Sequence, residues 1–312
     1  MRFFPQETNI NFVSMRFVTY IISAIVLIGS LFYVVNKGPN FGIDFTGGTL
    51  VEVRVSETPD IAALRNDLNT LELGAISLQE FGAPDDLLIR LPEQTPLAEQ
   101  TEQAAQELAI GKVRALLDAK FENVDYRRVE FVGPQVGKEL KIQGLYAILF
   151  SLGGILLYIW FRFEWQFGLA AIAALAHDTL ATVGLFAFTQ MEFNLSTVAA
   201  ILMIAGYSIN DTVVVFDRIR ENLRKYKKKT MAEICNMSIN QTLSRTLMTS
   251  VTTMLALVAL WVFGGEVIRG FVNALIFGIV IGTYSSIFVA APVLLLVHKG
   301  RGKAVSEEEK KA

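Results

Sequence analysis

Residues 195–229 read LSTVAAILMIAGYSINDTVVVFDRIRENLRKYKKK. The first part, Leu195 to Phe216, is long enough to cross a bilayer, because a hydrocarbon core of about 30 Å needs ~20 helical residues. Asn210 and Asp211 lie inside that run, and Arg218, Arg220, Arg224, Lys225 and Lys227 to Lys229 follow it at once. An ionised carboxylate in lipid costs roughly 2.5–3.5 kcal/mol even on lenient insertion scales. The stretch therefore predicts a membrane helix whose acid is shielded, paired or protonated.

Composition agrees with a multi-span protein: 312 residues, 52% hydrophobic, mean hydropathy +0.43. Net charge is −2, so placement of charge says more than its sum. The single cysteine, Cys235, allows no internal disulfide and no C-x-x-C motif. The two histidines, His177 and His298, lie far apart in apolar runs, so no metal site and no cofactor is expected.

Five further apolar runs stand at about 17–35, 140–161, 167–189, 247–263 and 270–297. The first, entered after a short polar segment 1–16, is too long for a signal h-region and lacks a small-residue cleavage pattern; it reads as an uncleaved span, 17–37. The predicted fold is a polytopic α-helical membrane protein with six transmembrane helices. A 38–138 α+β domain, βαββαβ and ferredoxin-like, lies between the first and second, and five spans fill 139–298. Within the domain, 49–55 alternates as a strand, and Asp60 caps a helix bearing Ile61, Leu64, Leu68 and Leu71 that Gly74 ends. Strands follow at 75–81 and 87–91 around a Gly-Ala-Pro-Asp-Asp turn, then a helix over 97–117 and a strand over 125–131. Acidic residues outnumber basic ones here, which leaves no nucleic-acid footprint.

The basic residues Arg2, Arg16, Arg162, Arg218 to Lys229, Lys299, Arg301 and Lys303 all fall on one side of a six-span chain. Both termini, including the charged tail 299–312, are then cytoplasmic and the 38–138 domain faces outward. Thr230-Met231-Ala232-Glu233 fits a capping box, which predicts a short surface helix within an amphipathic segment at about 218–243, before the fifth span.

Asp211 lies about 16 residues, ~24 Å, into its span, in the cytoplasmic third of the bilayer. Arg245 enters the next span at a similar depth and forms a polar stripe with Thr249, Thr252 and Thr253. Matching depth predicts an ion pair between Asp211 and Arg245. An acid held between desolvation and a neighbouring cation can load and release a proton. The plainer reading is a static pair joining two helices, but Gly278-x-x-x-Gly282 already supplies small-residue adhesion. His177-Asp178 is a second intramembrane ionisable site, fitting either a proton path or a helix–helix hydrogen bond. Gly42 to Gly48 lacks the Lys-Ser/Thr and following helix of a phosphate loop, so its glycines read as turn residues. No Walker motif, nucleophile elbow or kinase set occurs, and the chain does not read as an enzyme.

Six motifs stand in order: Gly-Ile-Asp-Phe-Thr-Gly-Gly (42–48), Phe-Val-Gly-Pro (131–134), Leu-Ala-His-Asp (175–178), Gly-Tyr-Ser-Ile-Asn-Asp-Thr-Val-Val-Val-Phe-Asp-Arg-Ile-Arg-Glu (206–221), Arg-Thr-Leu-Met-Thr-Ser (245–250) and Gly-Thr-Tyr-Ser-Ser-Ile (282–287). The ordered set, from first span to last, closely resembles the SecF family, the smaller subunits of bacterial SecD–SecF protein-export complexes in the resistance-nodulation-division superfamily. That resemblance implies a multi-pass inner-membrane protein that pairs with SecD and uses the proton motive force to draw preproteins from the SecYEG channel. YajC and YidC are more remote expected partners. It implies proton-path roles for Asp211 and Arg245, with Asn210 and Asp178 as further candidates. Gly42, Gly47, Gly48, Gly133 and Pro134 are expected structural or hinge positions, and Gly38-Pro39 and Gly133-Pro134 expected bending points. A proton antiporter of the same superfamily and a passive assembly scaffold are the alternatives.

Overall fold

The computed structural model describes residues 8–96 and 101–298. Arg2, the expected helix start at 97 and the tail from 299 onward lie outside the described residues. In chain order the elements are α1 (Arg16–Asn36), β1 (Asn40–Phe41), the single turn α2 (Ile43–Thr46), β2 (Gly48–Val55), α3 (Ile61–Asn69), β3 (Ser77–Phe81), β4 (Ala83–Leu91), α4 (Glu102–Lys120) and β5 (Val124–Val132). Then come α5 (Pro134–Arg162), α6 (Trp165–Thr189), β6 (Glu192–Phe193), α7 (Leu195–Lys225), α8 (Met231–Phe263), α9 (Arg269–Ser285) and α10 (Ala291–Val297). A π-helical turn, Ser286–Ala290, joins the last two. Six helical stretches among the described residues are long and apolar enough to span a membrane, as expected.

The chain divides into two compact units, one of residues 41–146 with 193–195 and one of the remainder. The first holds a four-stranded antiparallel sheet in the order β3-β4-β2-β5. Its strands alternate with α3 and α4, which is the split βαβ arrangement predicted. Strand β2 is paired on both edges, by β4 and β5, and side chains on both of its faces are buried. Val51, Val53 and Val55 pack with Leu64 and Leu68 of α3 and Val113 and Leu117 of α4. On the other face Leu50 packs with Leu88 and Ile43. Farther along that face Arg54 grips Asp86 through two hydrogen bonds of 2.7 and 2.6 Å, and Arg127 adds a third at 3.2 Å.

That grip shifts the β3–β4 connection. The expected five-residue turn shrinks to Gly82, at φ +85, and Ala83 to Asp86 already belong to the strand, which brings Asp86 opposite Arg54. Helix α3 starts at the expected Asp60 cap, whose carboxylate accepts from the N–H groups of Ala62 and Ala63. It ends five residues before Gly74, where the Thr70 hydroxyl donates to the carbonyl of Asp67 at 2.6 Å.

In the second unit α6, α7 and α9 form the interior. The contacts are close: a Cβ on Gly184 would lie 2.2 Å from Ser30 Oγ of α1, and one on Gly278 the same distance from Ile204 of α7. Gly282 faces Ser208 in the same way, so the predicted small-residue pair does bring α9 against α7. Helices α1, α5 and α8 turn large apolar side chains outward, among them Ile25, Phe150 and Leu255.

The separate surface helix expected before the fifth span does not exist. The Thr230–Glu233 capping box forms, but the helix it opens runs unbroken from Met231 to Phe263. Its polar residues face the protein: Ser238 and Thr242 are buried, and Asn222 of α7 donates to Ser238 at 2.9 Å and Gln241 at 2.8 Å. Residues 8–13 also dock onto it. Asn240 accepts from the Ile10 N–H at 2.9 Å and donates to the Ile10 carbonyl at 2.8 Å.

Two predictions concern the sheet. Gly48 sits at φ +108, and a Cβ there would lie 2.4 Å from the Leu91 carbonyl oxygen, whereas one on Gly133 would touch only the Phe131 ring at 4.0 Å. Gly48→Ala is expected to destabilise the sheet by about 1–3 kcal/mol and Gly133→Ala by less than about 0.5. Urea unfolding of the full chain, read by exchange protection of β2 amides, checks both. Burial, then a 2.9 Å hydrogen bond to Asp118, raises the Tyr126 phenol above its ordinary value of 10.0. The folded state then keeps a proton that the unfolded chain loses, so this contribution is complete below pH 10.0 and falls as pH rises beyond it. Tyr126→Phe is expected to lose that alkaline component; an unchanged pH profile of unfolding would refute it.

Candidate proton-coupling site

Asp178, on α6, has no exposed surface. The hydroxyls of Ser208 on α7 and Ser285 on α9 donate to its Oδ2 at 2.5 and 2.6 Å. His177 Nδ1 lies 2.9 Å from Oδ1. Three groups thus converge on one carboxyl, and it ties α6, α7 and α9 together where no water reaches. His177 Nε2 is buried without a partner.

The tie extends to α1. Tyr284, next to Ser285, packs beside the His177 ring at a centroid distance of 6.0 Å. Its phenol donates to the Thr19 carbonyl at 2.8 Å and lies 3.1 Å from the Ser23 hydroxyl. The π turn begins at the next residue after Ser285. Such turns widen a helix and cluster where side chains must be re-aimed.

Asp211 lies one turn beyond Ser208 on α7 and is 3% exposed. Its Oδ2 is buried with no hydrogen-bond partner, and the hydroxyls of Thr212 and, on α8, Thr246 are in the same condition. The predicted ion pair is not closed to contact: among the described residues no salt bridge joins Asp211 to Arg245, which is exposed, although the Arg245 charge still acts on the acid. Residue counting matched Arg245 to Asp211 in depth but could not say which side chains meet. The side chain next to it, Thr246, turns inward, while Arg245 turns out. Thr249 and Thr252 satisfy their hydroxyls on carbonyls of their own helix at 2.9 and 2.8 Å. Asn210 is also exposed. The four expected polar positions therefore separate: Asp178 and Asp211 inside, Asn210 and Arg245 outside.

The glycine motif serves close backbone approach. Gly47, at φ +73, would bring a Cβ within 3.3 Å of Pro134 Cα, and Gly137 of α5 would bring one within 3.0 Å of the Gly47 nitrogen. The Gly42 N–H donates to the Phe193 carbonyl at 2.9 Å, and Asp44 accepts from the Leu195 N–H at 2.8 Å. Pro134 opens α5, where its missing N–H costs nothing.

Sequence reasoning missed Ser208, Ser285 and Tyr284 as functional residues. Each stands inside a recognised motif, and a hydroxyl in an apolar span is a weak signal by itself; nothing in the sequence assigns two of them to one carboxylate.

The fold and its buried acids define a polytopic membrane protein with a ferredoxin-like domain between its first two spans. The chain belongs to the SecD/SecF family of protein export membrane proteins. The model for the C-terminal region of that family matches residues 112–300, and the SecD/SecF GG motif matches 32–59. It is similar to the protein translocase subunit SecF of Rickettsia rickettsii, 46% identical over 308 residues that cover 98% of each chain. The SecF of Rickettsia bellii is 47% identical over 297 residues, 95% of this chain and 96% of that one. Among solved structures, SecDF from Thermus thermophilus, a translocon-associated membrane protein, matches 94% of this chain with a TM-score of 0.83 and 37% identity. A SecDF structure in a super-membrane-facing form matches 98% of it with a TM-score of 0.68 at 37% identity. This chain spans 39% and 40% of those two longer chains.

The shared oxygen of Asp178 can be tested. Ser208→Ala and Ser285→Ala are each expected to cost about 0.5–1.5 kcal/mol, and the double variant more than their sum, because the last donor to Oδ2 is then gone. Unfolding of the full chain in mixed detergent–SDS micelles measures the cycle. Simple additivity would mean that the two hydroxyls do not share the oxygen.

Proposed function

We propose that this chain is an accessory subunit of the Sec protein translocase that uses the proton motive force to promote late steps of preprotein translocation and release. One observation carries the reading: a carboxyl buried inside a span with an oxygen that no protein group satisfies. A protein needing only adhesion would pair such an acid, as it pairs Asp178. Asp211 is the group left free to take and give a proton.

Asp211 and Ser208 are one helical turn apart on the same face of α7. A change in charge at Asp211 alters where α7 sits best, and Ser208 carries that shift to Asp178. From there Ser285 and Tyr284 carry it to α9 and α1, and α1 leads along the chain into the sheet domain. One charge moved through 100 mV is worth ~2.3 kcal/mol, enough to bias a two-state element by tens of fold. The chain supplies no nucleotide motif as another energy source.

The outward side of α8 supports a heteromeric unit. Arg245, an exposed charge on a membrane helix, cannot face acyl chains cheaply. A SecD-type subunit covering that face would meet Arg245 and Asn210 and complete the proton path. Further contacts with SecYEG, and more remotely with YajC and YidC, belong to the same reading. So does a cytoplasmic-membrane location with both termini cytoplasmic and the sheet domain outside. The single small domain leaves little room for the substrate pocket of a small-molecule antiporter.

Preprotein release from membrane vesicles, with and without a proton gradient, tests the role of Asp211. Asp211→Asn is expected to abolish the gradient-dependent part of release while leaving the amount of assembled complex unchanged. Release that responds to the gradient as in wild type would refute the proposal. A loss of complex without a change in release per complex would support a scaffold instead.

A further inference from the structure

The corner where α5 turns into α6 carries two features that the proton-coupled mechanism does not use. The first is a polar cleft of about 570 Å³ lined by Arg162, Asp217, Arg220, Glu221, Arg224 and Lys225. Its carboxylates are already engaged: Asp217 with Arg162 at 3.1 Å and Glu221 with Arg218 at 2.7 Å. Arg220 donates to the carbonyl of Arg162, the last residue of α5, at 3.3 Å and so fixes the cleft wall. Among the described residues Arg220, Arg224 and Lys225 form no salt bridge, and Lys225 only overlies the Tyr226 ring at 5.4 Å. The cleft thus holds three cations with no carboxylate partner.

The second is an apolar groove of about 540 Å³ between the two helices, lined by Gly153, Leu157 and Trp160 of α5 and Trp165, Gly168 and Ile172 of α6. Trp160 is 72% exposed and Trp165 59%. Glycine weakens a helix relative to alanine, so a helical glycine calls for a packing reason. Gly153 and Gly168 have none within the protein, since a Cβ at either would meet nothing within 4 Å. They leave the floor of the groove open. From Trp160 the groove runs about 10 Å along the axis to Gly153, toward the bilayer middle.

We propose that this corner binds one anionic phospholipid. Its phosphate is held by Arg220, Arg224 and Lys225, and an acyl chain lies in the groove over Gly153 and Gly168. Charge decides the headgroup class: unpaired cations beside an apolar groove, with two tryptophans at the level where headgroups meet hydrocarbon.

Native mass spectrometry of the full chain in a neutral detergent tests this, with dioleoylphosphatidylglycerol or dioleoylphosphatidylcholine added at equal concentration. Wild type is expected to retain the anionic lipid at least about fivefold better. The combined variant Arg220→Gln, Arg224→Gln, Lys225→Gln should bring the two lipids level. Gly153→Leu with Gly168→Leu extends side chains into the groove from two positions where a Cβ meets nothing within 4 Å. It should cut retention of phosphatidylglycerol by about fivefold or more while the helical circular-dichroism signal stays unchanged. Equal retention of both lipids by wild type would overturn the proposal, as would undiminished phosphatidylglycerol binding by the glycine variant. Displacement of the lipid by inorganic phosphate would do so too, because it would make the cleft a site for the free anion.

Discussion

Asp178 sits where no water can satisfy it, so protein donors must meet its oxygens. Ser208, Ser285 and His177 do so from two neighbouring helices and its own. Much of the membrane unit is arranged around that demand. Two serines on different helices can reach one oxygen only if the backbones approach closely, and small residues allow the approach. Gly282 faces Ser208, and Gly278 faces Ile204 a turn away. Tyr284 is placed by the same stretch of α9, and its phenol then fixes α1 at Thr19. A single polar side chain in an apolar bundle thereby sets the mutual positions of four helices.

The two buried acids differ in what surrounds them. The Asp178 carboxyl is fully engaged, so its surroundings are rigid. Asp211, one turn from Ser208, has an oxygen with nothing to hold it, and two threonine hydroxyls of the same helix pair are likewise unengaged. Buried polar atoms left unmatched cost stability, so each calls for an explanation. Asp211 and Ser208, the residue that ties α7 to Asp178 of α6, stand a single turn apart on one helix.

The architecture was legible because each part of it has a strong local pattern. Six apolar runs became six spans, and the alternation over 49–55 became the central strand. What remained hidden depends on direction and on distance along the chain. Counting residues puts Asp211 inside an apolar run, and in the structure it is buried within α7. The side-chain contact does not follow: Arg245 is exposed and makes no salt bridge with Asp211, although its charge still acts on that acid. Ser208 and Ser285 lie 30 and 107 residues from Asp178, so no window of sequence contains the cluster. The polar residues at the start of α8 looked like the wet side of a surface helix. They are the contacts that bind α8 to α7 and to residues 8–13, a use that hydropathy cannot distinguish from solvation.

The π turn at Ser286–Ala290 carries an implication for chain length. Pro292 offers no N–H and its ring crowds the carbonyl four residues earlier, so the helix cannot pass through this point with ordinary spacing. The wider turn absorbs one additional residue and resets the phase of everything after it. Ala290, Ala291 and Leu294 reach the core in that phase, each with no exposed surface. Removing one residue here would rotate them by about 100° toward lipid. Arithmetic rather than chemistry governs this turn: swaps among similar side chains leave the phase intact, whereas an indel cannot.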